Sequence, residues 1–122
     1  MSIITKTIAD VMNREQRNTI TSRMARAGIP FAVAQTNSTT RNAVEIRHIV
    51  IQLLYFFEGL TQVEIAELLH TTQASISRSM KTFAEKRKQH KASDNFLKKY
   101  DEYRLKYKSV LSHEKQNANI TD

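Results

Sequence analysis

The 122-residue chain has no cysteine, which excludes disulfide staples and thiolate metal sites and fits a reducing compartment. Glycine occurs twice and proline once. Folds assembled from many tight turns use both more freely, so an all-β architecture is disfavoured and an all-α one expected. Long apolar runs are also missing. Residues 49–57 form the most apolar stretch, but Gln52 interrupts it, and it falls far short of the roughly 20 residues that a membrane-spanning helix needs. The start, MSIITKTIADVMNRE, carries charges at Lys6 and Asp10, too early for the apolar core of a secretion signal. A cytoplasmic protein without a membrane partner is the expectation. What remains is an ordinary globular balance, 40% hydrophobic and 25% charged, in a length that suits one modest core.

The formal charge is +7, and its placement is more informative than its size. Residues 73–108 hold eleven Lys or Arg against four Asp or Glu, so this segment carries the whole excess while the rest of the chain nets zero. A local basic field suits phosphate binding, because neutralising phosphates releases condensed counterions. A solvated basic surface is the plain alternative, and charge alone does not choose between them.

Periodicity divides the chain into helices. Ile4, Ile8, Val11 and Met12 predict a short amphipathic helix over residues 2–12. Ile20, Met24 and Ala27 predict a second over 14–27, stopped by Gly28 and Pro30. Residues 31–35 are apolar but short, either extended or one more helical turn, and residues 36–40 read as a hydroxyl-rich loop. Ala43, Ile46, Ile49, Val50, Leu53, Leu54 and Phe57 recur three and four apart, predicting a helix over 41–58 with Gly59 at its cap. Thr61 and Glu64 have the spacing of a capping box, opening a short helix to about Leu69. Thr72 caps the next helix, which runs toward Lys88. A last helix over 94–112 carries Phe96, Tyr100, Tyr103, Tyr107 and Val110 as a heptad-like seam. The tail from His113 is polar and expected to fray.

The informative stretch is LTQVEIAELLHTTQASISRSM, residues 60–80. It describes a short capped helix, a tight turn and a longer helix that crosses the first. A close crossing requires a small side chain, which Ala66 supplies. Ile65 and Leu69 on the first helix face Ile76 and Met80 on the second as a small shared core. The outward face of the second helix is then Gln73, Ala74, Ser77, Arg78 and Lys81. These side chains are short, hydrogen-bonding or basic, and suit entry into a DNA major groove.

On these residues the segment resembles the helix-turn-helix of bacterial and phage regulators, in particular the Trp-repressor-like and sigma region 4-like groups, and more distantly the Cro-type repressors. Gln62, Ile65, Ala66, Leu69, Gln73, Ile76, Ser77 and Arg78 fill matching positions, as does the helix leading in over residues 49–59. The likeness covers about 40 residues and does not reach the N-terminal third. His70 stands where these turns usually have glycine; histidine is among the residue types that tolerate positive φ. The resemblance implies that Thr72, Gln73, Ala74, Ser77, Arg78 and Lys81 contact DNA. Gln73 would address adenine, Arg78 would address guanine or a phosphate, and Thr72 and Gln62 would hold the backbone. It further implies a sequence-specific, double-stranded-DNA-binding transcriptional regulator of phage, plasmid or mobile-element type. Such a protein would act as a repressor, as a homodimer on a pseudo-palindromic operator.

The remaining features are less specific. Lys81, Lys86, Arg87, Lys88 and Lys91 extend the basic surface and suit either flanking phosphates or plain solvation. Arg14, Arg17, Arg23 and Arg26 could line an N-terminal DNA arm, although arginines are more often simply surface residues. The aromatic seam suits packing better than base stacking, within the chain or across a half-wet dimer interface. His48, His70, His90 and His113 are scattered without metal-ligand spacing. No phosphate loop or nucleophile constellation stands out, so neither an enzyme nor a cofactor is expected. The organisation expected is an all-α multi-helix bundle. Residues 1–40 supply N-terminal helices for dimerisation or a DNA arm, 41–91 the helix-turn-helix core, 92–112 an amphipathic dimerisation helix and 113–122 a polar tail. Two rival functions remain open: a small terminase-like or replication-initiation subunit, which would form larger rings, and a protein-interaction module that inhibits a sigma-like partner.

Overall fold

The computed structural model describes residues 13–89 and 95–121. The helix expected over 2–12, together with His90 and Lys91, lies outside these residues. Six helices are packed together with no strand among the described residues: α1 (Arg14–Arg26), α2 (Phe31–Ala34), α3 (Arg41–Phe56), α4 (Gln62–Leu68), α5 (Gln73–Gln89) and α6 (Asn95–Thr121). The protein is an all-α multi-helix bundle.

Local signals account for most of the boundaries. Asn13 caps α1 by accepting from the Gln16 amide at 2.8 Å. The helix ends where Gly28, at φ +72°, lets the Gly28 and Ile29 amides turn back onto the Ala25 and Met24 carbonyls. The apolar segment after Pro30 is a single helical turn, α2, rather than extended chain. Thr40 caps α3 through the Ala43 amide, and Gly59 at φ +66° turns the chain out of it. The capping box of α4 is complete, with Glu64 accepting from the Thr61 amide at 2.9 Å and Thr61 from the Glu64 amide at 3.2 Å.

Helix α3 is the axis of the fold, packed by α2, α4, α5 and α6. Its periodicity predicts one apolar face, yet Ile51 and Gln52 are buried along with Ile49, Val50, Leu53 and Leu54. A helix enclosed by four neighbours has no wet side over its middle turns. The aromatic seam of α6 turns inward. Phe96, Tyr100 and Tyr107 are buried, and Tyr103 and Val110 pack against the same core. Phe83 of α5 meets Phe96 and Tyr100 edge to face at 5.7 and 4.8 Å. This stripe is therefore occupied by the chain's own core.

The C-terminal tail departs from expectation. Instead of fraying at His113, α6 continues to Thr121. No glycine or proline stops it, and Glu114 is anchored. The Arg23 guanidinium donates Nε to Glu114 at 3.0 Å and Nη1 to Glu58 at 2.7 Å, while Arg26 also pairs with Glu114. The Tyr107 hydroxyl donates to Glu58. These contacts tie α1, the end of α3 and α6 together. They also commit Arg23 and Arg26 to internal ion pairs rather than leaving them free for a DNA arm. Hydrogen bonding to Arg23 holds the Glu114 carboxyl below its ordinary range, and burial raises the Tyr107 phenol above its own.

Candidate nucleic-acid interface

The two helices over residues 60–80 are joined by a turn whose geometry follows from one residue. His70 is the sole non-glycine at positive φ among the described residues, at +58°. In that conformation the His70 amide reaches the Glu67 carbonyl (3.2 Å) and the Thr71 amide reaches that of Ala66 (2.9 Å), closing α4 with the same double turn-back that ends α1. Thr72 then opens α5, its hydroxyl accepting from the Ser75 amide at 3.2 Å. Ile65, Leu69 and Ile76 are buried between the two helices, with Met80 half-buried beside them and Ala66 at 5% exposure. The shared core expected from the sequence is present, and it fixes which face of α5 points outward.

On that outward face Thr72, Gln73, Ala74, Arg78 and Lys81 are exposed, and Ser77 is half-buried. Gln62, at the start of α4, is half-buried and is brought to the same surface. Gln73 Nε2 donates to Gln62 Oε1 at 3.5 Å, and Gln62 Nε2 approaches Met80 Sδ at 3.6 Å. The seven candidate residues thus form one continuous strip along α5 and the edge of α4. Arg78 has only a long contact, Nη2 to the Ser75 hydroxyl at 3.4 Å, so its charge stays available to a ligand. Of the following cations, Lys86 lies over the Phe96 ring at 5.0 Å, whereas Lys81, Arg87 and Lys88 are exposed.

The opposite flank of α5 borders a cleft of about 290 Å³, part polar and part apolar, that the sequence does not announce. Ser75, Arg78, Ser79 and Thr82 form one wall, Arg47 and His48 of α3 another, and Thr36 and Asn37 of the α2–α3 turn a third. His48 Nδ1 is hydrogen-bonded to the Ser79 hydroxyl, and its ring meets Phe96 edge-on at 6.2 Å. Burial, assisted by the charges of Lys86 and Arg47, pushes this imidazole below its ordinary 6.5. Half-buried Arg47 donates to the carbonyls of Thr36 (2.6 Å), Ser38 (2.9 Å) and Ala34 (3.4 Å). A sequence pattern could not have found this cleft, since its walls come from four segments, Leu69 and Thr71 of the α4–α5 turn included, that only the tertiary fold brings together.

Among the described residues no group of His, Cys, Asp or Glu side chains could hold a metal ion, and no helix is long and apolar enough to cross a membrane. Comparison of the chain with protein-family models, with curated proteins and with solved structures finds no match.

Proposed function

We propose that this chain is a sequence-specific double-stranded-DNA-binding regulator that inserts α5 into the major groove. The observation that carries the reading is the strip of Gln73, Ala74, Ser77, Arg78 and Lys81. It lies outward on a helix whose inner face is locked to α4 by Ile65, Leu69 and Ile76. Side chains of this size and polarity can approach base edges, and the basic excess of residues 73–108 supplies the phosphate attraction. In this reading Gln73, steadied by Gln62, addresses an adenine edge, Arg78 a guanine or a phosphate, and Thr72 the backbone. Rigid support from α4 matters because a reading helix has to hold its side chains in register with the bases.

The protein acts in this proposal as a homodimeric repressor on a two-fold symmetric operator, in the manner of small phage or plasmid regulators, in the cytoplasm. Because the aromatic seam of α6 is internal, a second copy has to be held elsewhere. Among the described residues the large apolar side chains left exposed are Tyr55, Phe56, Val63 and Leu105. Sedimentation at micromolar concentration tests this part, and a monomer there removes the dimer.

Selection of bound sequences from a randomised duplex library tests the central reading. A two-fold symmetric motif supports it; recovery of DNA without any motif leaves only electrostatic attachment and refutes sequence reading. On the selected site, Arg78→Ala is expected to weaken binding by about 1–3 kcal/mol and to relax one base position. An unchanged affinity would remove Arg78 from the interface.

A further inference from the structure

Helix α5 has two flanks, and the residues on each are set by its rotation of about 100° per residue. Gln73, Ser77 and Met80 lie toward α4, where Gln62 meets Gln73 and Met80. Ser75, Ser79 and Thr82 lie on the far side, facing the cleft, with Ala74, Arg78 and Lys81 between the two. An α-helix about 10–12 Å across nearly fills a major groove about 12 Å wide. A duplex docked on α5 therefore brings one strand's phosphates to the α4 flank and the other strand's to the cleft flank.

Across the cleft stands the α2–α3 turn. Its Thr36 and Asn37 line the same space as Ser75 and Arg78. The turn is built to hold its shape. Arg47 gathers the Ala34, Thr36 and Ser38 carbonyls inward, and Thr36 Oγ1 accepts from the Ser38 amide at 3.4 Å. With those carbonyls turned in, the amides of Asn37 and Thr39 make no hydrogen bond among the described residues. The side chains of Asn37 and Thr39 are exposed, and no acidic residue lies between Thr36 and Val44. This is a donor-rich, non-repelling edge continuous with the cationic side of α5.

We infer that the turn at Thr36, Asn37 and Thr39 is a second DNA-contact element, gripping phosphates of the strand opposite to the one beside α4. The inference rests on the major-groove role proposed for α5. Contacts to both strands would fix the helix across the groove without reading sequence, so loss of the turn's contacts should weaken binding to all duplexes alike.

Charge placed at Asn37 tests this directly, because the position is exposed and either substitution leaves the core intact. Asn37→Lys and Asn37→Asp are titrated with a mixed-sequence duplex of about 30 base pairs across a series of salt concentrations. Ser22→Lys serves as a control at an exposed position of α1, which packs on α2 and α6, and Arg78→Ala reports on α5. Helical circular dichroism and melting confirm the fold of each variant. The expected result is that Asn37→Lys tightens binding and steepens the dependence of log K on log salt by about 0.9. Asn37→Asp should weaken binding at low salt, and Ser22→Lys should do neither. If both Asn37 variants track the wild type while Arg78→Ala weakens binding, the turn is not at the DNA and this inference is overturned with the α5 reading intact. If no duplex is bound at any salt concentration, the α5 reading falls and the turn's role falls with it.

Discussion

The turn that links α4 to α5 depends on His70 holding φ at +58°, and substitutions there isolate a backbone effect. A left-handed backbone costs an L-residue about 1–2 kcal/mol, and histidine sits near the lower bound. Glycine removes that cost but returns about 0.4–1 kcal/mol through the greater freedom of its unfolded chain. His70→Gly is therefore expected to raise stability by about 0.5 kcal/mol. That corresponds to roughly 2 °C in Tm for a chain of this size. His70→Val, β-branched and poorly suited to the same conformation, should lower stability by about 1 kcal/mol or more. The side chain is exposed, so neither substitution deletes buried contact, and the spread between the two variants measures the backbone term. Urea unfolding of the three proteins at pH 7 supplies the numbers. A His70→Gly protein less stable than the wild type, with His70→Val unchanged, would refute the reasoning and assign the position's value to the imidazole.

Ile76 is fully buried between α4 and α5, and Ile76→Ala should cost about 2–5 kcal/mol in urea unfolding; a loss below about 1 kcal/mol would mean that this contact is not packed as described. Arg23→Met leaves the Glu58 carboxylate, whose side chain is only 10% exposed, without its guanidinium. Removing one partner of a fully buried pair costs about 3–5 kcal/mol. Arg23 is itself 21% exposed, so about 2 kcal/mol is expected, and a neutral Arg23→Met would show that the cluster of α1, α3 and α6 adds nothing. The His48 imidazole is held below its ordinary 6.5, first by burial and then by Lys86 and Arg47. The unfolded chain therefore binds the proton more readily than the folded one, so stability is full above pH 6.5 and declines as the pH falls below it. His48→Gln should flatten that decline in thermal melts recorded between about pH 7 and 5, and an equally steep profile would place the titration elsewhere.

Much of the local architecture was legible in the residues because its causes are local. Thr61 with Glu64, and Thr72, satisfy amides three residues away, while Gly28 and Gly59 relieve a backbone strain that belongs to a single position; the caps at Asn13 and Thr40 have the same local cause but were recognised only in the structure. The outward strip of α5 was legible for a related reason. Once Ile65, Leu69 and Ile76 are assigned to the core, helical rotation leaves Gln73, Ala74, Arg78 and Lys81 outside. The positive φ of His70 was indicated only by the resemblance, which usually has glycine at that place in the turn.

Tertiary structure decided what no local pattern encodes. An apolar stripe declares that it will be buried but not by what, and the seam of Phe96, Tyr100 and Tyr107 could equally have met a second chain; in the fold it closes the chain's own core. Arg23 and Arg26 look like free surface cations until α6 delivers Glu114 to them, and that anchoring carries the helix past the polar residues where fraying was expected. The cleft beside α5 draws Asn37, His48 and Arg78 from three separate segments. Capping and periodicity act over a few residues and can be read in order along the chain. Ion pairs and clefts form between residues tens of positions apart, so their existence depends on how the helices pack.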